Sequence, residues 1–218
     1  MHDRAYLPAL GDHRLTPFYD VTVALMTCER TWRRAFVKQI APEPRDVILD
    51  VGCGTGTLAI LLKQACPSAS IHGTDPDPEV LTRAEQKARD AGVLIHFAHG
   101  LAENTSSAAA ANRPNKIVTS LLLHHVPLET KRAALESAFA ALRHGGELHV
   151  ADYGEQKSPL MKFAFRQVQA LDGNDNSGLN AGGLLPQLVA EAGFVLVTEN
   201  ATIPTPSGSI SLYSALRP

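Results

Sequence analysis

The feature that most constrains the fold is a glycine-rich turn placed directly after a short apolar run. Residues 46–51 read Asp-Val-Ile-Leu-Asp-Val, and Gly52, Gly54 and Gly56 follow at alternate positions. A short β-branched run of this kind is typical of a strand buried in a parallel sheet. Glycines after such a strand let the backbone approach a ligand closely and open a helix whose first N–H groups face that ligand. The pattern therefore predicts a strand, a ligand-binding loop and a helix in succession.

Strand-like and helix-like segments alternate along most of the chain. We expect strands at 46–51, 70–74, 93–98, 117–122 and 147–151, and helices at 16–40, 58–66, 79–91 and 128–142. This alternation predicts a mostly parallel sheet that is covered by helices on both faces.

The pattern changes in the last third of the chain. There we expect a helix at 158–171, a loop rich in Gly, Asn and Asp at 172–183, a helix at 184–192, and strands at 194–198 and 210–215. Because no helix separates the last two strands, they should pair antiparallel.

Composition narrows the function classes. The chain has 218 residues, 20 Lys and Arg, 22 Asp and Glu, and a formal net charge of −2. This balance gives no basic stripe for nucleic acid, so we expect no nucleic-acid partner. No apolar stretch is long enough for a transmembrane segment, and the start of the chain lacks the apolar core of a signal peptide. Three cysteines without zinc-site spacing favour a reducing, cytoplasmic location.

The length suits a single domain. We divide this expected domain into four parts: an N-terminal helical cap at 15–41, a cofactor-binding core at 42–154, a substrate-pocket insertion at 155–183, and a C-terminal helix with a β-hairpin at 184–218.

Two carboxylates flank the glycine loop. Thr57 stands where the dinucleotide-binding fingerprint has its third glycine. Asp50 ends the first strand, where a carboxylate would repel a pyrophosphate but would favour a cofactor that carries sulfonium and ammonium groups. Asp75 ends the second strand, where a carboxylate can accept hydrogen bonds from both ribose hydroxyls. Capping is the alternative role for both carboxylates, although Asp77, followed by Pro78, is better placed to cap the next helix.

Several stretches resemble the class I S-adenosylmethionine-dependent methyltransferases. They are VILDVGCGTGTLAI at 47–60, HGTDPDPEVLTRAEQKA at 72–88, FAHGLAEN at 97–104, IVTSLLLHHVP at 117–127 and LRHGGELHVADYG at 142–154. The segments 17–40 and 192–213 are similar to the ubiquinone/menaquinone-biosynthesis C-methyltransferase branch. The resemblance implies an α/β fold: a seven-stranded, doubly wound, Rossmann-like sheet of order 3-2-1-4-5-7-6, with strand seven antiparallel and helices on both faces.

The resemblance also implies a set of residues that bind S-adenosylmethionine, with S-adenosylhomocysteine as product. At the methionine end they are Asp50, Gly52, Cys53 and Gly54. Asp75 would hold the ribose, Pro76 would pack on the adenine, and Leu101 and Ala102 would line the adenine pocket.

Three further residues belong to the expected cofactor site. Ser120 lies within the expected strand four and His125 follows it, towards the edge where ligands meet a sheet of this kind. Tyr19 could lie against the sulfonium, although packing of its helix is an equal alternative.

The chain departs from the family pattern at two positions. Leu101 stands where the family often has an acidic residue, so that Glu103 is at best a substitute. Lys116 stands where the family usually has an aspartate at the start of strand four.

Methyl transfer from a sulfonium needs alignment and exclusion of water more than it needs a metal. We find no metal-ligand cluster and expect no metal. His124 and Tyr153, after strands four and five, are the candidates for catalysis on the acceptor side. We expect Asp152 to orient a loop. Arg33 and Arg34 are expected on a solvated face, with an acidic group of the substrate as the alternative.

The insertion helix should help to shape the acceptor pocket with Met161, Phe163 and Phe165. The alternatives for these side chains are core packing or a dimer contact, so a homodimer is a further possibility. An apolar or aromatic acceptor would suit such a pocket.

The leading hypothesis is methyl transfer to a small-molecule acceptor by in-line displacement. N-methylation of a phospholipid or another amine is one alternative. A nicotinamide-dependent oxidoreductase and a non-catalytic cofactor-binding module are the others.

Overall fold

The computed structural model describes residues 28–108, 113–172 and 174–218. Seven strands lie in this part of the chain: β1 Val47–Val51, β2 Ser70–Asp75, β3 His96–His99, β4 Lys116–Ser120, β5 Glu147–Tyr153, β6 Val195–Thr205 and β7 Gly208–Leu216. The helices are α1 Glu29–Ile40, α2 Thr57–Ala65, α3 Pro78–Asp90, α4 Thr105–Ala108, α5 Leu128–Ala141, α6 Pro159–Asp172, α7 Asn174–Ala181 and α8 Leu185–Glu191. Two single 3₁₀ turns occupy Ala102–Asn104 and Leu123–His125.

The strands form one sheet of order β3-β2-β1-β4-β5-β7-β6, as predicted. Strands β1 to β5 are parallel, and β7 runs antiparallel to both β5 and β6. Because the carboxyl ends of parallel strands meet at one edge of the sheet, this order gathers Asp50, Asp75, Ser120 and Tyr153 along that edge.

Alternate residues of the central strands enter two cores, one on each face of the sheet. Ile48 and Val118 pack with α1, α2 and α3 around the buried Trp32 and Phe36. The neighbouring residues of the same strands pack on α5 and α8. The predicted cover of helices on both faces is therefore confirmed.

A buried lysine joins the first described helix to the sheet. Lys116 at the start of β4 donates from Nζ to the carbonyl oxygens of Ile40 (2.9 Å) and Ala41 (3.1 Å), which end α1. The same Nζ lies 2.9 Å from Asp46 Oδ2. Burial would raise the pKa of Asp46, but hydrogen bonds from the Glu43 N–H and Lys116 outweigh it and hold that pKa below its usual value. Lys116, which departs from the family pattern, therefore has a structural role: it joins the end of α1 to the sheet.

The predicted loop at 172–183 is wrong, because α7 occupies most of it. Its sequence, Asn-Asp-Asn-Ser-Gly-Leu-Asn-Ala, has weak intrinsic helix propensity. Tertiary contacts compensate: Asn176 donates to the His125 carbonyl oxygen at 3.0 Å, and Ser177 and Asn180 are buried.

Strand boundaries also differ from the prediction at the edges of the sheet. β3 starts at His96, because Val93 still donates to the Ala88 carbonyl oxygen and ends the turn after α3. β6 and β7 are longer than predicted, and the register of β6 shifts at two places, between Val195 and Thr198 and between Glu199 and Ala201. β5 includes Asp152 and Tyr153, which therefore end that strand.

Candidate functional site

The glycine loop is held by the neighbouring strand. Gly52 and Cys53 both donate their N–H groups to the Thr74 carbonyl oxygen, at 2.8 and 3.0 Å. Gly52, Gly54 and Gly56 have φ angles of +68°, +53° and +76°. These left-handed angles strain any residue with a Cβ, which explains why glycine recurs at alternate positions.

Only one of these three glycines faces open space. An ideal Cβ on Gly52 would lie 2.9 Å from Leu122 Cδ2, and one on Gly56 would lie 2.9 Å from Phe97 Cζ. A Cβ on Gly54 would meet nothing within 4 Å. The middle of the loop is therefore where its backbone can be approached closely.

Asp50 is a buried carboxylate without a hydrogen bond from the part of the chain that the structure describes. Its exposed fraction is 0%, and neither carboxylate oxygen has a hydrogen bond of acceptable geometry. Burial raises the pKa of Asp50 to about 7, against the opposing effects of the Arg33 charge and the Ala59 amide. A buried carboxylate of this kind destabilises the protein unless a ligand supplies positive charge and hydrogen-bond donors.

Asp75 fastens the loop to the end of β2. Its Oδ2 accepts the Gly54 N–H at 3.0 Å and its Oδ1 accepts the Asp77 N–H at 3.0 Å. Burial raises the pKa of Asp75, although both N–H groups oppose this effect. Asp77 caps α3 by accepting the N–H groups of Glu79 (2.9 Å) and Val80 (3.4 Å), as predicted.

The residues expected around an adenine lie beside Asp75. The Gly100 N–H donates to the Asp75 carbonyl oxygen at 3.1 Å, which brings the start of the 3₁₀ turn at Ala102 next to the end of β2. Pro76 and Ala102 are half-buried, and Leu101 is exposed.

Of three further residues expected at the cofactor, two lie within the described ranges. Cys53 turns its side chain inward, and burial raises the pKa of its thiol. Ser120 ends β4 and is half-buried. Tyr19 lies outside the described residues. Arg33 departs from the expected solvated face, because it pairs with Glu29 and is largely buried.

A second cluster lies where β4 and β5 end. Asp152 is fully buried and accepts the backbone N–H groups of Leu123 and Tyr153, both at 2.7 Å. Its Oδ1 also lies 2.6 Å from His124 Nδ1. Burial would raise the pKa of Asp152, but the neighbouring His124 outweighs it and holds that pKa below its usual value. Asp152 thus orients the turn that follows β4.

The structure brings the histidines and Tyr153 together. The His124 ring centroid lies 3.9 Å from that of His125 and 4.9 Å from that of Tyr153. The Tyr153 hydroxyl is 2.7 Å from Ser207 Oγ. The α6 side chain that joins this cluster is Phe165, whose ring lies 5.0 Å from that of Tyr153. Phe163 instead points outward, so the three α6 side chains named from the sequence do not share one environment.

Sequence analysis missed Lys131, which is fully buried on α5. Its Nζ donates to the carbonyl oxygens of Leu123, Val126 (2.8 Å) and Asn176 (2.9 Å). Burial lowers the pKa of Lys131 to about 8. The sequence did contain a signal, because Lys131 interrupts the apolar stripe of α5 at helical spacing.

The described ranges contain no group of three or more His, Cys, Asp or Glu side chains that could hold a metal ion. None of the helices described is both long and apolar enough to cross a bilayer.

Residues 48–146 match the family model of the methyltransferase domain. These residues belong to a class I methyltransferase domain. The match begins inside β1 and ends just before β5, so the methyltransferase domain model covers the glycine loop, both carboxylates and the turn at His124.

Curated relatives of this methyltransferase domain carry related names. The ubiquinone/menaquinone biosynthesis C-methyltransferase of Cereibacter sphaeroides is 25% identical over 154 residues, which cover 70% of this chain and 61% of that protein. The demethylmenaquinone methyltransferase of Deinococcus radiodurans is 40% identical over 89 residues, which cover 39% of this chain and 36% of that protein. The matched regions therefore span less than two thirds of either relative.

A solved structure shares the fold. The magnesium protoporphyrin IX methyltransferase of Synechocystis PCC 6803, determined with bound SAH, superposes with a TM-score of 0.66 at 17% identity, over 87% of this chain and 84% of that one. At this identity the likeness concerns the architecture of the methyltransferase domain.

Proposed function

We propose that this chain transfers the methyl group of S-adenosylmethionine to a small-molecule acceptor. The observation that carries the proposal is Asp50, a fully buried carboxylate with no protein hydrogen bond in the described residues, placed directly before the glycine loop. An ammonium or sulfonium group nearby would supply the missing charge, whereas a pyrophosphate would be repelled.

The other residues around the loop suit the same cofactor. Gly54, with open space above its backbone, and Asp50 would bind the methionine end. Asp75 keeps lone pairs on both oxygens after accepting one N–H on each, so it can also accept ribose hydroxyls. We assign Pro76, Leu101 and Ala102 to the adenine, and Ser120 and His125 to the wall between cofactor and acceptor.

S-adenosylmethionine supplies an electrophilic methyl group on a positively charged sulfur. The protein must hold the acceptor in line with that methyl group and keep water away. We assign His124 and Tyr153 to the acceptor side. Asp152 holds the turn that carries His124 and accepts a hydrogen bond from its Nδ1, which fixes the orientation of the imidazole ring.

The acceptor that we propose is apolar or aromatic. Tyr153 and Phe165 supply ring surfaces beside His124. We assign residues 155–183 to the acceptor wall and 42–154 to the cofactor. The names of the two curated relatives, which mention ubiquinone, menaquinone and demethylmenaquinone, agree with an apolar acceptor. A cytoplasmic location suits the three free cysteines.

Calorimetric titration of the purified chain tests the cofactor. We expect S-adenosylhomocysteine to bind and NAD⁺ and FAD to give no heat of binding. The Asp50→Asn variant should weaken S-adenosylhomocysteine at least about tenfold, because it removes the charge that pairs with the ammonium. Asp90→Asn, at an exposed aspartate on α3, is the matched control and should bind as the parent does. Tight binding of a dinucleotide without binding of S-adenosylhomocysteine would overturn the proposal.

Transfer of a labelled methyl group to a panel of quinone precursors, phenols and amines tests the reaction itself. We expect turnover with the quinone precursors or the phenols. Turnover confined to the amines would move the assignment to N-methylation. Cofactor binding with no turnover across the panel would favour a non-catalytic module.

A further inference from the structure

The outward side of α6 carries two large apolar side chains that face solvent. Leu160 is 76% exposed and Phe163 is 65% exposed. They are three residues apart on one helix and therefore lie side by side. The opposite side of the helix is already used, because Phe165 and Val168 are buried in the core. The protein thus holds α6 by one face and leaves an apolar patch on the other.

The segment that carries this patch is basic between Glu155 and Asp172. Residues 156–171 contain Lys157, Lys162 and Arg166 and no acidic residue, although the whole chain has more acidic than basic residues. Lys157 pairs with Glu199, but Lys162 and Arg166 are exposed on α6 itself. The Arg166 guanidinium carbon lies 6.0 Å from the Phe163 ring centroid, so the cation and the apolar patch adjoin.

We propose that the outer face of α6, formed by Leu160, Lys162, Phe163 and Arg166, docks on an anionic membrane surface. Exposed apolar side chains flanked by basic ones, on a helix whose other face is packed, are suited to lying in the plane of a bilayer interface. The apolar pair would enter the headgroup boundary, and the two cations would bind anionic headgroups. We choose an anionic membrane as the partner because its negative headgroups complement the positive charges of Lys162 and Arg166.

A second copy of the chain fits this face less well. A two-fold interface brings the same patch of both copies together, so that Lys162 and Arg166 of one copy would face the same cations of the other. Two exposed apolar side chains also supply far less area than the roughly 1,200–2,000 Å² that a stable interface buries.

Docking through this face would orient the rest of the molecule. The inner face of α6 contacts Tyr153 through Phe165, so the end of the sheet that carries His124 and Tyr153 would lie near the membrane. An apolar acceptor could then enter from the lipid phase. This last consequence, unlike the docking, rests on the proposed function.

Vesicle flotation of the full chain tests the docking. The vesicles are pure phosphatidylcholine or contain about one third phosphatidylglycerol, which supplies the negative surface potential. We expect the parent chain to float with the anionic vesicles only, and less so as salt is raised. Lys162→Glu/Arg166→Glu should weaken flotation by about fivefold or more for each cation lost. Leu160→Ser/Phe163→Ser should also abolish it.

The chain offers a matched apolar control. Leu94 and Leu196 are 86% and 75% exposed but lie away from α6, so Leu94→Ser/Leu196→Ser should float as the parent does. All these substitutions are at exposed positions, and S-adenosylhomocysteine titration of each variant reports separately on the cofactor site.

Three results would overturn the proposal: no flotation of the parent with anionic vesicles, equal flotation of the α6 variants and the control, or a parent dimer in solution that the Leu160→Ser/Phe163→Ser variant converts to a monomer. The last result would assign the patch to self-association.

Discussion

Asp50 couples stability to ligand binding through a single proton. In the unfolded chain its pKa has the ordinary value of 3.8, whereas burial raises it to about 7 in the folded chain. The folded state therefore holds this proton more tightly. The stabilisation is fully present below pH 3.8 and is lost as the pH rises through 7, with a total change of up to about 4 kcal/mol.

We therefore expect Asp50→Asn to be more stable than the parent at pH 8, because the amide stays neutral, and to differ much less at pH 5. Urea unfolding at both pH values measures the two differences in free energy. S-adenosylhomocysteine at one concentration that saturates the parent should stabilise the parent more than the variant, by about 1.4 kcal/mol for each tenfold loss of affinity. A variant that is less stable than the parent at both pH values would contradict this account of Asp50.

Alanine variants of Gly54 and Gly56 should have different effects, because Gly54 faces open space and Gly56 is packed against side chains. Gly54→Ala meets no neighbour, so it should lose only about 1 kcal/mol for its left-handed backbone. Gly56→Ala adds a Cβ at 2.9 Å from Phe97 Cζ and 3.1 Å from the Ala84 Cβ, and should lose about 2–4 kcal/mol. For S-adenosylhomocysteine we expect Gly54→Ala to weaken binding at least about tenfold. Parent-like affinity in that variant would mean that the ligand does not approach this part of the loop.

Local signals in the sequence were sufficient to predict the roles of some of these residues. The positive-φ glycines follow from alternate spacing after a buried strand, and the Asp77 cap follows from the Asp-Pro pair. The absence of a hydrogen bond to Asp50 could not be predicted, because it depends on which groups of α1 and α2 reach the end of β1.

At the scale of elements, α7 is a helix that its own sequence does not specify. Lys131 donates to the turn after β4, through Leu123 and Val126, and to α7, through Asn176. Single-segment patterns favour a loop at 172–183, and the contacts of Asn176 with Lys131 on α5 and with the turn at His125 reverse that preference. The prediction was wrong there because the deciding interactions lie about fifty residues away in sequence.

Replacing Lys131 with Met should leave three carbonyl oxygens without their donor and destabilise the chain by about 2–4 kcal/mol. Hydrogen exchange should rise at the amides of 123–126 and 174–181 more than in the sheet. Lys162→Met, at an exposed position on α6, is the control and should leave both segments protected. Uniformly faster exchange across the sheet would argue against a local role for Lys131.

At the scale of the whole molecule, the strand order was predictable and the attachment of α1 was not. The strand order could be predicted from two features. They are the seven expected strands, which end in a hairpin, and the resemblance of the glycine loop to the methyltransferase family. The position of Lys116 was flagged only as a departure from the family pattern. Its contacts with Ile40, Ala41 and Asp46 depend on where α1 ends relative to β4, and a linear pattern does not contain that information.

Lys116→Met should loosen α1 and lower the free energy of unfolding by about 3–5 kcal/mol, because Asp46 stays buried without its cation. Trp32, the only tryptophan in the sequence, lies on α1 and is fully buried, so its fluorescence reports on that helix. We expect its emission to shift to the red at lower urea than the loss of the circular dichroism signal. Lys38→Met, at an exposed position on α1, should show coincident transitions, and coincident transitions in Lys116→Met would contradict the anchoring role.

The two edge strands of the sheet, β3 and β6, are poorly suited to pairing with a strand from another chain. β3 has only four residues, and β6 pairs with β7 alone within the described residues while its register shifts twice and Pro204 removes one backbone donor. Backbone-to-backbone extension into fibres is therefore disfavoured along both borders. A partner protein would therefore have to contact this chain through side chains and not by adding a strand to the sheet.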